Sequence, residues 1–200
     1  MDETRAPTAT PAPPTETPVP PTPTAVAPTP TPEPAGGDIA WIADGAIGAD
    51  EYAHQAEGGG VTFYWSNDAE HLYAAMSAQT TGWVAVGFDP QVAMLGANYV
   101  FGYVQDGQLY IDDMYGTLRV GQGSHPPDVD LGGSNDIVES AGREEAGVTV
   151  IEFRIPLDSG DEYDKPLSPG SSYTALLAVG GSDEFQSYHT SRGSTEMTLD

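Results

Sequence analysis

The feature that most constrains this chain is a period of two in its apolar residues, carried in short runs that Gly, Asp, Asn and Pro cut apart. In "VTFYWS" (61–66), Val61, Phe63 and Trp65 alternate with Thr62 and Tyr64, and in "HLYAAMSAQ" (71–79), Leu72, Ala74, Met76 and Ala78 share one face. Successive side chains of a strand point to opposite faces, so this alternation predicts strands with one buried face. "GWVAVGFD" (82–89) follows a Thr-Gly turn. "ANYVFGYVQ" and "QLYIDDMYG" flank Asp106-Gly107, a hairpin signal because glycine accepts positive φ. "DIVESAG" and "GVTVIEFRIPL" flank "REEA" as a second hairpin, and "SSYTALLAVGG" and "EFQSYHTSRGSTEMTLD" close the chain. No segment carries a helical period. About nine or ten short strands at this spacing imply an all-β, antiparallel sandwich or barrel.

The first 36 residues belong to a different class. Twelve of the 18 prolines fall before Ala35, interleaved with Thr and Ala. Proline lacks an amide donor and fixes φ, so residues 1–36 are expected to be an extended, disordered spacer and residues 37–200 the folded domain. The segment resembles the tether that follows the lipid-modified cysteine of bacterial surface lipoproteins. That resemblance implies an extracytoplasmic site, membrane-tethered through a lipid anchor upstream or secreted.

Thirty acidic residues against six basic ones give a formal net charge of -24. Nucleic acid and anionic membrane surfaces would repel such a chain, whereas a basic protein partner or bound cations suit it. The absence of cysteine excludes disulfides, thiolate metal sites and covalent c-type haem. No run of 18 apolar residues is present to span a membrane.

Motifs for hydrolase or phosphate chemistry are lacking: there is no G-x-S-x-G, P-loop or H-E-x-x-H. Asp112-Asp113, Glu144-Glu145 and "DSGDEYD" (158–164) read as solvated turns. "PPDVDLGGSND" (126–136) spaces acidic oxygens in a way that suits Ca2+, without a full EF-hand loop. Of the four histidines, His54 and His71 read as surface residues. His125, in a Gly-rich loop before Pro126-Pro127, is a candidate functional residue, and His189 stands in "SYHTSRG" near the end. Met94, an apolar thioether in the loop of "DPQVAMLGAN", calls for a reason to be there. Met76, Met114 and Met197 read as packing.

In order along the chain, "TGWVAVGFDP", "MLGANYVFGYVQDG", "IDDMYG", "EFRIPLDSGDEYD" and "YHTSRG" resemble a DOMON domain over roughly residues 39–199. Each motif is modest alone; five in register are specific. The resemblance implies an immunoglobulin-like β-sandwich of about 9–11 strands, related to the haem-binding cytochrome domain of cellobiose dehydrogenase. Some members bind b-type haem through an axial Met and an axial His, positions that fall here on Met94 and His189. Others are described as sugar-binding or interaction modules.

A thioether is a soft ligand suited to haem iron, and imidazole suits the opposite side. Met/His ligation fills both axial positions and makes an electron carrier, not an enzyme. Trp83, Phe88, Tyr99, Phe101, Tyr103 and Tyr188 are candidate walls for a porphyrin cleft, and Arg192 a candidate partner for a propionate. The competing expectation is a haem-free carbohydrate- or ligand-binding module, with Trp41, Trp65 or Tyr110 as an exposed stacking platform.

Overall fold

The structure, a computed structural model, describes Met1, residues 41–121 and residues 123–200. The tether expected over residues 1–36 and the boundary drawn after it lie outside the described residues. Among the described residues ten strands run in chain order: β1 (His54–Gly58), β2 (Val61–Asn67), β3 (His71–Gln79), β4 (Val84–Phe88), β5 (Asn98–Gln105), β6 (Gln108–Tyr115), β7 (Glu139–Glu145), β8 (Val148–Pro156), β9 (Ser172–Gly180) and β10 (His189–Thr198). A helical turn, α1 (Asp128–Leu131), lies between β6 and β7. The strands form two five-stranded antiparallel sheets, β1-β2-β3-β8-β7 and β10-β9-β4-β5-β6. The fold is an all-β sandwich. Among the described residues no helix is long and apolar enough to cross a membrane.

The predicted alternation builds the core between the sheets. Phe63 and Trp65 of β2, Leu72 and Met76 of β3, and Ile151 and Phe153 of β8 meet Val84, Val86 and Phe88 of β4, Val100 of β5 and Leu177 of β9. Each large apolar side chain removed from water contributes about 1.5–3 kcal/mol. Met76 and Met197 lie in this core, as their sequence context suggested.

Two details differ from the sequence expectation. The strand β1, "HQAEG", carries no apolar period, so nothing local announced it; it pairs with β2 through the Gly59-Gly60 turn. The second hairpin turns at Ala146-Gly147 and not over "REEA": β7 continues to Glu145, opposite Val148, and the turn residues take φ of 52° and 78°. Positive φ at both central residues matches the right-handed twist of the flanking strands, a condition that Arg143 and Glu144 do not meet.

The segment ahead of β1 is pinned to the first sheet by one buried carboxylate. Glu152 Oε2 accepts the amides of Asp44 at 3.0 Å and Gly45 at 2.7 Å, and Oε1 accepts the Tyr52 hydroxyl at 2.8 Å. The Tyr52 hydroxyl in turn accepts Trp41 Nε1 at 2.7 Å.

Candidate functional site

The centre of the second sheet, β4 and β5, is buried on both faces. Every residue of β4 is buried, and beyond the inter-sheet core a separate cluster joins Trp83, Ala85, Ala97, Tyr99, Phe101 and Met114 on the outer face. That face floors a cavity of about 670 Å³. Its walls come from the β4–β5 loop (Ala93, Met94), the β6–α1 loop (Val120, Ser124, His125), the β9–β10 loop (Ser187, Tyr188) and the start of β10 (His189, Arg192).

The position of Met94 is set by backbone. Ala93 before it takes φ of 53°, the Met94 amide donates to Arg119 O at 3.2 Å, and Ala97 N donates to Met94 O at 3.4 Å. Gly116 lies directly beneath: its amide donates to Ala97 O at 2.9 Å and its carbonyl accepts Gly96 N at 2.7 Å. A Cβ on Gly116 would collide with the Met94 carbonyl oxygen. The Ser124 hydroxyl approaches Met94 Sδ at 3.5 Å and orients the thioether.

His189 and Arg192 are three apart, so in a regular strand they would face opposite ways. The β9–β10 register shifts between His189 and Ser191: His189 pairs with Gly180 and Ser191 with Val179. This bulge inserts Thr190 and re-aims the strand, and both His189 and Arg192 line the cavity. Gly193, the last residue of "YHTSRG", is backed directly by the Gly59 amide, leaving no space for a side chain.

The floor is aromatic. Trp83 and Phe101 lie with ring centres 5.0 Å apart, and Trp83 Nε1 donates to Ser187 Oγ at 2.9 Å, tying the floor to the loop before Tyr188. His125 stacks on Phe101 at 4.4 Å and 18°. It is buried, its Nδ1 has no partner among the described residues, and burial holds its imidazole below the usual histidine range. The Tyr99 hydroxyl is likewise buried without a partner, and burial raises its pKa.

Of the residues singled out by sequence, Met94, His189, Arg192, Trp83, Tyr99, Phe101, Tyr188 and the candidate His125 all line this cavity. Tyr188 stands at the rim, 72% exposed. Phe88 does not: it shares the parity of Val84 and Val86 and packs into the inter-sheet core. Tyr103 stacks on Tyr110 at 4.9 Å, to one side of the cavity lining.

The expected aromatic platform is present only in part: Trp65 is buried with its indole donating to Thr198 O and Trp41 is half-buried, edge-on to Tyr73, whereas Tyr110 is exposed and stacks on Tyr103. Of the basic residues, Arg143 pairs with Glu145 at 2.6 Å and Arg154 with Glu139 at 3.3 Å. Arg192 has no ion pair among the described residues and faces the cavity with its charge free.

Comparison with known proteins places this geometry in context. The family model for the DOMON domain matches residues 57–180. A stretch of 97 residues, 48% of this chain, is 34% identical to MOXD1 homolog 2 of Drosophila melanogaster, of which it covers 12%. A stretch of 140 residues, 68% of this chain, is 27% identical to DBH-like monooxygenase protein 1 of Mus musculus, of which it covers 22%. The chain therefore spans less than a quarter of the length of these relatives. Among solved structures, the cytochrome b domain of pyranose dehydrogenase from Coprinopsis cinerea superposes with a TM-score of 0.51 over 68% of this chain and 75% of that one, at 12% identity. At that identity the likeness is one of fold.

Proposed function

The chain belongs to the DOMON domain family, and on that premise we propose that it is an extracytoplasmic electron-transfer protein holding a noncovalent b-type haem between Met94 and His189. The observation that carries this reading is that the thioether of Met94 and the imidazole of His189, far apart in sequence, line one apolar cavity.

The residues present fit the group. The cavity's 670 Å³ lies within the roughly 300–1,000 Å³ of cofactor sites. Its floor of Trp83, Ala85, Phe101, Leu176 and Ala178 suits a flat apolar ring, and two buried polar atoms, Tyr99 Oη and His125 Nδ1, await a partner.

Bound haem supplies one-electron exchange at its iron. Met94 and His189 would hold the group through a soft sulfur and an imidazole nitrogen. Ser124 and the Gly116 contact hold the thioether. Trp83 and Phe101 exclude water, and Arg192 offers the positive charge that propionates need on a protein of formal net charge -24. Electron transfer asks no acid or base of the chain, so we read it as a carrier and not as a monooxygenase. Its acidic surface suits a basic redox protein, with association weakening at high salt.

Titration of the purified full chain with haemin tests this. One equivalent should develop a Soret band and, on reduction, sharp low-spin bands. Met94→Ala and His189→Ala should each disturb them. Absence of haem binding contradicts the cofactor, and wild-type spectra from both variants contradict the ligands.

A further inference from the structure

Away from the cavity, three carboxylates converge from three separate segments: Asp113 on β6, Asp128 at the start of α1 and Asp164 in the β8–β9 connection. One oxygen from each lies within 4.8 Å of the others. Asp113 is 2% exposed and Asp128 0%. Asp113 Oδ2 accepts the Asp136 amide at 3.0 Å. Asp113 Oδ1 and both oxygens of Asp128 have no hydrogen-bond partner among the described residues, whereas Asp164 Oδ2 accepts the Ser159 hydroxyl. Lys165 lines the adjoining recess, yet no ion pair of it with these acids is present among the described residues.

An independent group points to the same place. Asn98, 4% exposed, donates Nδ2 to Asp164 Oδ1 at 2.6 Å, which fixes the orientation of its amide. Its Oδ1 is then a buried acceptor without a donor. Asn98, Asp113, Asp136 and Asp164 line one recess of about 10 Å³, room for a single ion and for no organic ligand. Burying unpaired carboxylates is costly, because a low-dielectric interior cannot replace their hydration. A cation held by the three carboxylates answers the unpartnered oxygens of Asp113 and Asp128, and the Asn98 side chain lines the recess that Asp113 and Asp164 share.

We propose that Asn98, Asp113, Asp128 and Asp164 form a site for one Ca2+. The donors are all oxygen, which selects a hard cation over zinc or copper. Ca–O bonds of about 2.3–2.6 Å put ligands on opposite sides of the ion roughly 5 Å apart, a limit within which the three oxygens fall. Mg2+ demands a near-ideal octahedron and gives up its water reluctantly, which an all-protein set of this kind does not suit. The site ties β5, β6, α1 and the β8–β9 connection together. Of the stretch 126–136, whose acids suggested Ca2+ in sequence, Asp128 alone joins the carboxylate group; Asp136 lines the recess and lends its amide to Asp113.

The test uses the full chain without haem, stripped with chelator, titrated calorimetrically with CaCl2 and followed by thermal unfolding. One equivalent should bind and raise the melting temperature, with a much smaller effect from Mg2+. Asp128→Asn should weaken Ca2+ binding by about tenfold or more, and Asp130→Asn, at an exposed neighbour, should bind as the wild type does. Asp128→Asn removes a repelling charge, so in chelator it should melt no lower than the wild type, which shows that it folds. Failure of the wild type to bind at millimolar Ca2+, or equal binding by Asp128→Asn, overturns the site. Uptake spread over many weak sites and indifferent to Asp128→Asn also overturns it, since that is the pull of the acidic surface alone.

Discussion

His125 lies flat on Phe101, ring centres 4.4 Å apart and planes 18° from parallel, so an imidazole with an unpartnered Nδ1 roofs part of the aromatic cavity floor. A third side chain of a type that can ligate iron therefore lines the same cavity as Met94 and His189, the proposed ligands. The stack gives His125 a packing role. His125→Phe keeps the area, removes the orphan nitrogen and should change stability by less than about 1.5 kcal/mol in urea unfolding. The low-spin spectrum of the reconstituted protein should persist. Its loss would make His125 an iron ligand.

Gly116 is the residue on which the Met94 loop rests. Gly116→Ala sets a Cβ against the Met94 carbonyl and should cost about 1–3 kcal/mol by displacing that loop. In haem-loaded protein the bands assigned to Met94 ligation should weaken more than its melting temperature falls. An unchanged spectrum would show that the loop does not position the sulfur.

Glu152 gathers three hydrogen bonds from residues 44, 45 and 52. Glu152→Ala leaves two amides and a hydroxyl without their acceptor and should cost about 2–4 kcal/mol. Amide exchange should accelerate over residues 41–53 while haem affinity holds, since this strap packs on the other sheet.

The acidic cluster sets a pH dependence. Burial, then the charges of Asp164, Asp128 and Asp136, push Asp113 up to about 8. Burial and neighbouring acids push Asp128 to about 7. The folded state then binds protons that the unfolded chain has released, so the derivative of stability with pH is negative between the unfolded value near 4 and these folded values. Calcium-free protein should lose on the order of 3 kcal/mol between pH 5 and pH 8. Asp113→Asn should flatten that slope, measured by urea unfolding in chelator. A slope equal to wild type would remove Asp113 as its source.

Much of this was legible in sequence because it depends on parity. Val61, Phe63 and Trp65 had to share a face, and the Asp106-Gly107 turn fixed the pairing of β5 with β6. The cavity residues were found through motif order. Phe88 was misplaced because an aromatic near Trp83 reads as a wall, although parity sends it to the other side of the sheet. The bulge at Thr190 is a property of the β9–β10 pairing and leaves no mark in "YHTSRG". The acidic cluster was missed for the same reason. Asp113 and Asp164 read in sequence as solvated turn residues, but Asp113 lies on β6 with 2% of its surface exposed, and tertiary packing brings the half-buried Asp164 beside it and Asp128.

The most direct measurement of the central claim is the reduction potential of haem-loaded wild type against Met94→His. Both proteins should be six-coordinate and low-spin. Replacing thioether by imidazole favours ferric iron, and the potential should fall by about 100 mV or more. An unchanged potential would mean that the sulfur of Met94 is not on the iron.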